Sequence, residues 1–177
     1  ITSLKKKRIK ALLDADINLI AYHLPLDIHP ELGNNACLAK LFSIKNMRGL
    51  ESENPFSVAV RGELNVPQTV AQLTSTISQQ LSRTPLVEGA RDKIIKTVAW
   101  CSGGGQDFIE LAGELGIDAF ISGEVSEKTI HLAREYDIAF FSAGHHATER
   151  YGIKAVGEHL SQVLDLDVEF IDIDNPA

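Results

Sequence analysis

The stretch that decides the fold lies at residues 94–105 and reads IIKTVAWCSGGG. Its mostly apolar, β-prone first part predicts a buried strand from Ile94 to Cys101. Three consecutive glycines then mark a tight turn, and apolar residues at helical spacing follow from Phe108 to Leu115. A strand, a glycine turn and a helix in this order open a βαβ unit, so the stretch predicts an α/β fold.

The same order repeats toward the C-terminus. A strand at 119–122 precedes a helix with Ser126 as its N-cap, and a strand at 138–142 precedes a long helix at 148–164. A last strand is expected at 168–173. Strands that alternate with helices predict a parallel or mixed sheet.

Residues 1–93 show this alternation less regularly. The elements expected there are a helix through Leu13, a strand at 17–22, a long polar loop, a helix at 35–41, a strand around 56–60, a Pro-started helix at 66–82 and a short strand near Leu86. Residues 43–93 are interpreted as an inserted β-α-β lobe. The predicted organisation is therefore 1–42, 43–93 and 94–177, with the first and last parts packed together.

Composition excludes several classes of protein. An apolar fraction of 44% without a long apolar run argues against a membrane span. The net charge of −7 makes nucleic-acid binding an unfavoured function, and the basic run at 5–8 is interpreted as a solvated helix face. Two distant cysteines favour a reducing compartment, so we expect a cytoplasmic protein. A helix that starts at once after Ile1 suggests that an upstream segment is missing.

Polar residues follow three predicted strands, at the edge where α/β sheets bind ligands. The segments are His23–His29, Ser122–Glu124 and Gly144–Glu149, and they contain four of the six histidines. Imidazole and carboxylate together are typical ligands of zinc, manganese and iron. The three segments therefore predict a metal site.

Each piece also has a structural interpretation. His145 and Glu149 share a helix face, which suits a metal chelate. Alternatively, Glu149 could serve merely to complement the dipole at the helix N-terminus. His23 and Asp27 flank a proline, so a loop is expected between them, in which Asp27 could cap backbone. Glu124 could be a first-turn carboxylate near Ser126. The turn at 103–105 could hold phosphate on its N–H groups or could simply need small residues.

Four segments together resemble the YbgI-type dinuclear metal-centre proteins, a NIF-three-like family that includes GTP cyclohydrolase I type 2 homologues. The segments are HLPLDIHPELGNN (23–35), WCSGGG (100–105), DAFISGE (118–124) and AGHHATE (143–149). The resemblance spans essentially the whole chain. It implies two intertwined α/β repeats, a ring-shaped homohexamer and two adjacent divalent cations, each of which could be zinc, manganese or iron.

The resemblance also implies roles for single residues. Asp27 would be a shared metal ligand, and His145 and Glu149 would be further ligands. His23 and Glu124 would be catalytic groups that handle protons or support the ligands. The family's other ligands come from an upstream His-His-Gly segment that this sequence lacks, which puts a complete two-metal centre in question.

Two functions follow as hypotheses. The first is a metal-dependent hydrolase acting on GTP or a related nucleotide, with opening of the guanine ring at C8 and release of formate. The second is a non-catalytic, ring-forming scaffold that binds metal or another protein.

Overall fold

The computed structural model describes residues 1–177, which form seven α-helices and six β-strands. The helices are α1 (Ser3–Asp14), α2 (Leu24–Ile28), α3 (Asn34–Leu41), α4 (Val70–Leu81), α5 (Ile109–Glu114), α6 (Glu127–Glu135) and α7 (His145–Leu164), with a 3-10 turn at Gln106–Phe108. The strands are β1 (Ile44–Gly49), β2 (Val60–Thr69), β3 (Leu86–Glu88), β4 (Ile94–Cys101), β5 (Ala119–Ser122) and β6 (Ala139–Ser142).

The six strands form one mixed sheet in the order β1-β2-β4-β5-β6-β3. The central strands β4, β5 and β6 run parallel, while β1, β2 and β3 pair antiparallel with their neighbours. The predicted α/β class with a mixed sheet is confirmed.

Both faces of the central strands are buried, which is why these strands are almost entirely apolar. In β4, Val98 and Trp100 belong to a core of 19 buried residues with α3 and α4, while Ala99 and Cys101 belong to a core of 10 residues with α5 and α6. The sheet is therefore the middle of three layers, with α3 and α4 on one face and α5 and α6 on the other. Packing on both faces fixes the positions of the ends of the central strands.

Two predicted strands are absent. Residues 17–22 and 168–173 have no regular secondary structure, and their apolar side chains, such as Leu19 (74% exposed) and Ile173 (74% exposed), lie at the surface. Neither segment pairs with a strand of the sheet, and an extended segment becomes a strand only when its backbone has a partner.

Three further details of the first half were predicted wrongly. The expected loop between His23 and Asp27 is the one-turn helix α2, because a proline fits the first turn of a helix. The expected helix at 66–82 begins only at Val70, since Thr69 forms the cap with Gln72 and the preceding residues extend β2. The edge strand β1 was not predicted, and Phe56 lies in a loop, 71% exposed.

The division into 1–42, 43–93 and 94–177 stays a prediction. The sheet takes β1, β2 and β3 from the second range and β4, β5 and β6 from the third. Among the helices, α3 of the first range contributes Leu38 and Phe42 at its end to the larger core. None of the helices combines the length and apolar character that a membrane span needs.

Candidate functional site

The candidate site lies at the carboxyl edge of the three parallel strands. Cys101 is in register with Ser122, and Ser122 is in register with Ser142, so the three strands end at one level. The loops that follow bring Gly103, Glu124 and His145 to the same place. This convergence is the usual consequence of parallel strands and marks the edge where ligands bind.

His145 is held between two carboxylates. It opens α7 directly after Gly144, its Nδ1 lies 2.6 Å from Oε1 of Glu124, and its Nε2 lies 3.1 Å from Oε2 of Glu149, one helical turn later. The hydrogen bond to Glu124 is the largest cause of a raised pKa of His145, and the charge of Glu149 adds to it. The imidazole is thus fixed in orientation at both ring nitrogens.

The pKa of Glu149 responds to the charges of three other residues of the site. Burial raises its pKa, the negative charge of Asp27 raises it further, and His145 and His23 lower it. Asp27, His145 and His23 are therefore close enough to Glu149 for their charges to act on it. The structure brings together all five residues that the sequence singled out, since Glu124 contacts His145.

Asp27 is a buried carboxylate, only 6% exposed. Its Oδ1 accepts hydrogen bonds from Asn34 Nδ2 (2.8 Å) and from Ser102 Oγ (3.1 Å), and Asp27 forms no salt bridge with a basic side chain. Asn34 in turn accepts a hydrogen bond from the Gly152 N–H of α7 (2.8 Å). These hydrogen bonds compensate part of the cost of burying the charge, and a positive ion beside Asp27 would compensate the rest.

The residues that support Asp27 were missed as functional residues in the sequence. They are the buried Asn34, Asn35, Ser102 and Thr148. Asn35 accepts from the Ser102 N–H (3.1 Å) and Thr148 accepts from the Gly103 N–H (3.0 Å), so the network continues around the site. Short polar residues carry no periodic signal. Their only signal was their place inside the motifs at 23–35, 100–105 and 143–149.

Gly103 provides the space for the acidic cluster. Its φ is +62°, and a Cβ at this position would lie 2.0 Å from Oε1 of Glu149 and 2.8 Å from Nε2 of His145. The glycine turn therefore serves to admit side chains from α7. The suggestion that its N–H groups hold phosphate is wrong for Gly103, whose N–H donates to Thr148, and a 3-10 turn rather than a regular helix follows.

Cys101 lies at the end of β4 beside this cluster. Burial, together with the charges of Asp27 and Glu149, raises the pKa of its thiol to about 12. The thiol stays protonated at neutral pH, so it is not an activated nucleophile. Both cysteines of the chain are free.

The remaining histidines have other contacts. His29 Nδ1 accepts from the backbone N–H of Leu32 (3.1 Å), and His146 Nε2 lies 3.3 Å from Oδ1 of Asp172. His131 and His159 are exposed. Only His145 and His23 among the six histidines belong to the cluster around Glu149.

A cavity of about 570 Å³ opens beside His145, Glu124 and Glu149. Its opposite wall is the C-terminal segment, which contributes Phe170 and Asp172. Asp172 also contacts Arg150 of α7 (3.1 Å), and Arg83 donates to the carbonyl of Pro176. The site is therefore accessible, and its volume lies in the range of small-molecule pockets.

The side chains of the site are of the chemical types that bind divalent cations. Asp27, Glu149 and His145 supply two carboxylates and an imidazole, and the charge of Asp27 has no basic partner. They do not suffice in number: no group of three or more His, Cys, Asp or Glu side chains is arranged to hold a metal ion. An ion here would need further ligands and a rearrangement of the contact between His145 and Glu149.

Comparison with known proteins identifies the family. The model of the Duf34/NIF3 (NGG1p interacting factor 3) family matches residues 1–176. The GTP cyclohydrolase 1 type 2 homolog of Pasteurella multocida is 59% identical over 178 residues, which cover 100% of this chain and 70% of that protein.

Solved structures agree. A structure described as protein ybgI, of unknown function, has a TM-score of 0.92 at 51% identity and matches 100% of this chain and 70% of its own. TTHA1606 from Thermus thermophilus has a TM-score of 0.83 at 29% identity, covering 97% of this chain and 67% of its own. The resemblance that the four sequence segments indicated is confirmed, and the chain belongs to the Duf34/NIF3 family.

Proposed function

We propose that this protein is a metal-dependent hydrolase with two divalent cations, acting on GTP or a related nucleotide. The observation that carries the proposal is the buried Asp27 carboxylate, which has no basic partner and lies close enough to Glu149 to raise its pKa. Two carboxylates held near each other at the ligand-binding edge of a parallel sheet favour a bound cation. Zinc, manganese and iron all suit the donors.

In this proposal Asp27, His145 and Glu149 bind metal once His145 and Glu149 separate, and the further ligands that two cations need come from other groups. Glu124 orients His145 through the 2.6 Å contact with Nδ1, which leaves Nε2 for a ligand. His23, whose charge acts on Glu149, moves a proton during the reaction. Bound divalent cations in such sites act as Lewis acids and make water a nucleophile near neutral pH.

The proposed substrate class is inferred from the name of a relative. The name of the Pasteurella multocida relative, GTP cyclohydrolase 1 type 2 homolog, points to GTP. The cavity of about 570 Å³ beside His145 accommodates a small molecule, and Phe170 in its wall offers an aromatic surface. The two free cysteines favour the cytoplasm as the place of action.

The deciding experiment combines elemental analysis with an assay of formate release from GTP. We expect bound divalent metal, and turnover that a chelator removes and added metal restores. Asp27→Ala should lose both metal and turnover. Asp107→Ala removes an exposed carboxylate outside the cluster and serves as the matched control. Equal turnover in Asp27→Ala and the control would refute the proposal.

A second candidate is a non-catalytic, ring-forming scaffold, with a homohexamer as the assembly. It is favoured by exposed apolar side chains at both ends of the chain, including Ile17, Ile20, Tyr22, Ile171 and Ile173, which are 57–74% exposed. Apolar surface of this kind is typical of interfaces between proteins. Light scattering with and without chelator separates the candidates: the scaffold predicts that metal removal changes assembly size while no turnover is found.

A further inference from the structure

The antiparallel pair β1–β2 places two arginines opposite each other. Arg48 is the register partner of Arg61, so both side chains start from one face of the sheet. Like charges directly opposite on neighbouring strands are destabilising. Neither guanidinium forms a salt bridge, although the chain has 24 acidic against 17 basic residues. The pair thus holds two positive charges without a salt-bridge partner, and Glu51 is the one carboxylate in the cavity that both arginines line.

Arg61 is only partly exposed, and its Nε is fully buried without a hydrogen-bond partner. Oε1 of Gln106 is the one other buried side-chain nitrogen or oxygen in this condition. An unsatisfied buried donor on a charged group is costly, so such an atom points to a missing acceptor. Arg48 is exposed, and one contact, from Nη1 to the carbonyl of Asn46 (3.2 Å), leaves most of its donors available.

Both arginines line a cavity of about 400 Å³. The loop 51–57 forms one wall, where the Glu51 N–H donates to Ser57 Oγ (3.2 Å) and Glu51 Oε2 accepts from Asn54 (3.2 Å). Met47 and Val60 supply apolar surface. This cavity shares no lining residue with the one beside His145.

We propose that this cavity is an oxyanion-binding site in which Arg48 and Arg61 bind a phosphate group, either free or at the end of a small phosphoester. The planar guanidinium fork matches phosphate oxygens, and a dianion would compensate both charges. Because Nε of Arg61 is closed to solvent, the terminal nitrogens of its guanidinium would hold the phosphate. Protection of the sheet edge by charge is a further use of Arg48, but it gives no reason for an arginine at the partly exposed position 61, on the inner strand β2.

The test is calorimetric titration with inorganic phosphate, in the presence of a chelator so that bound metal plays no part. The variants are Arg61→Gln and Arg48→Gln, and Arg91→Gln, an exposed arginine outside the cavity, is the matched control. We expect saturable binding that weakens roughly tenfold or more in each cavity variant, since each loses charged hydrogen bonds. The control should bind as the unchanged protein does.

Two additions keep the test decisive. Arg61→Lys keeps the positive charge but lacks the planar guanidinium. Phosphate binding that is measurable but weaker than in the unchanged protein supports the role of the guanidinium, and this comparison stands even if Arg61→Gln folds poorly. Ribose 5-phosphate distinguishes the source, because tighter binding than phosphate indicates an esterified ligand and equal binding indicates the free ion. Binding no stronger than that of chloride at equal ionic strength, or unchanged binding in both glutamine variants, would overturn the proposal.

Discussion

The two halves of the candidate site are held in opposite ways. Asp27 is 6% exposed and receives two hydrogen bonds from Asn34 and Ser102. The side chains of His145 and Glu124 are 40% and 48% exposed and are held by their mutual contact at 2.6 Å. The buried half is therefore fixed by hydrogen bonds that are shielded from solvent. The open half depends on protonation and can change partners when a ligand arrives.

The largest effect is expected in the buried half, from Asp27→Asn. The amide keeps the shape of the side chain but removes the charge that would bind a cation. Removing a ligand should cost more than the 10- to 100-fold typical of supporting residues, so we expect metal affinity to fall by at least about 100-fold. Calorimetric titration with zinc or manganese measures this, with Asp107→Asn as control. An unchanged affinity would show that the buried half is purely structural.

The next prediction concerns the turn between the halves. Gly103 (φ +62°) and Gly116 (φ +67°) share a left-handed backbone, but a Cβ on Gly116 meets nothing within 4 Å. Gly116→Ala should therefore cost only the backbone strain, about 1–2 kcal/mol. Gly103→Ala adds the clash with Glu149 and should destabilise more and also lose metal. Urea unfolding and elemental analysis measure both effects, and equal costs would contradict the crowded geometry around Gly103.

Asn34→Ala sharpens the comparison without touching a proposed ligand. It removes one donor from Asp27 and the acceptor of the buried Gly152 N–H. We expect the free energy of unfolding to fall by about 1–3 kcal/mol, the usual cost of unsatisfied buried groups. Asn18→Ala, at an exposed position, is the control. The prediction fails if the two variants are equally stable in urea.

The smallest effect is expected in the open half and depends on pH. The pKa values of His145 and Glu149 are both raised in the folded protein, the first chiefly by the hydrogen bond to Glu124 and the second chiefly by burial. Around their ordinary values of 6.5 and 4.5, these two groups therefore bind more protons in the folded protein than in the unfolded chain. The resulting stability is present at low pH and is lost as pH rises through the folded pKa values.

Without metal, the free energy of unfolding should consequently decline from below pH 6.5 upward through the raised pKa of His145. Urea unfolding across this range measures the decline. Glu124→Gln should flatten it, because the largest cause of the His145 shift is removed. Glu127→Gln removes an exposed glutamate near His131 and is the control. A slope that is the same in all three proteins would exclude the pairing of His145 and Glu124 in solution.

The parts that could be predicted from sequence share a physical reason. Strands such as β4, whose last residues are buried on both faces, are mostly apolar and lead into a glycine turn, so their position and the residues after them were predictable. The strands expected at 17–22 and 168–173 failed because pairing depends on a neighbour that local sequence does not specify. Edge strand β1 was missed because its exposed residues are polar.

The site shows the same limit. Asp27, His145 and Glu149 could be proposed because they follow predicted elements, but their contacts depend on Gly103 and on the buried amides. Asn34 and Ser102 donate to Asp27 because the fold places them at the right distance and orientation. Such contacts produce no periodic pattern in the sequence. Glu124 lies before the N-cap Ser126 rather than in the first turn of α6 and contacts His145, while its role in catalysis stays a prediction.

The bond between Asn34 and Gly152 connects the helix beside Asp27 to the helix that carries His145 and Glu149. A displacement of α7 along its axis would stretch this bond and so act on Asn34, which donates to Asp27. If ions bind between the two sides, as proposed above, this bond limits how far the sides can move apart, while His145 can still change partners. Ionic radius would then contribute to selection among cations, in addition to the softness of the donors.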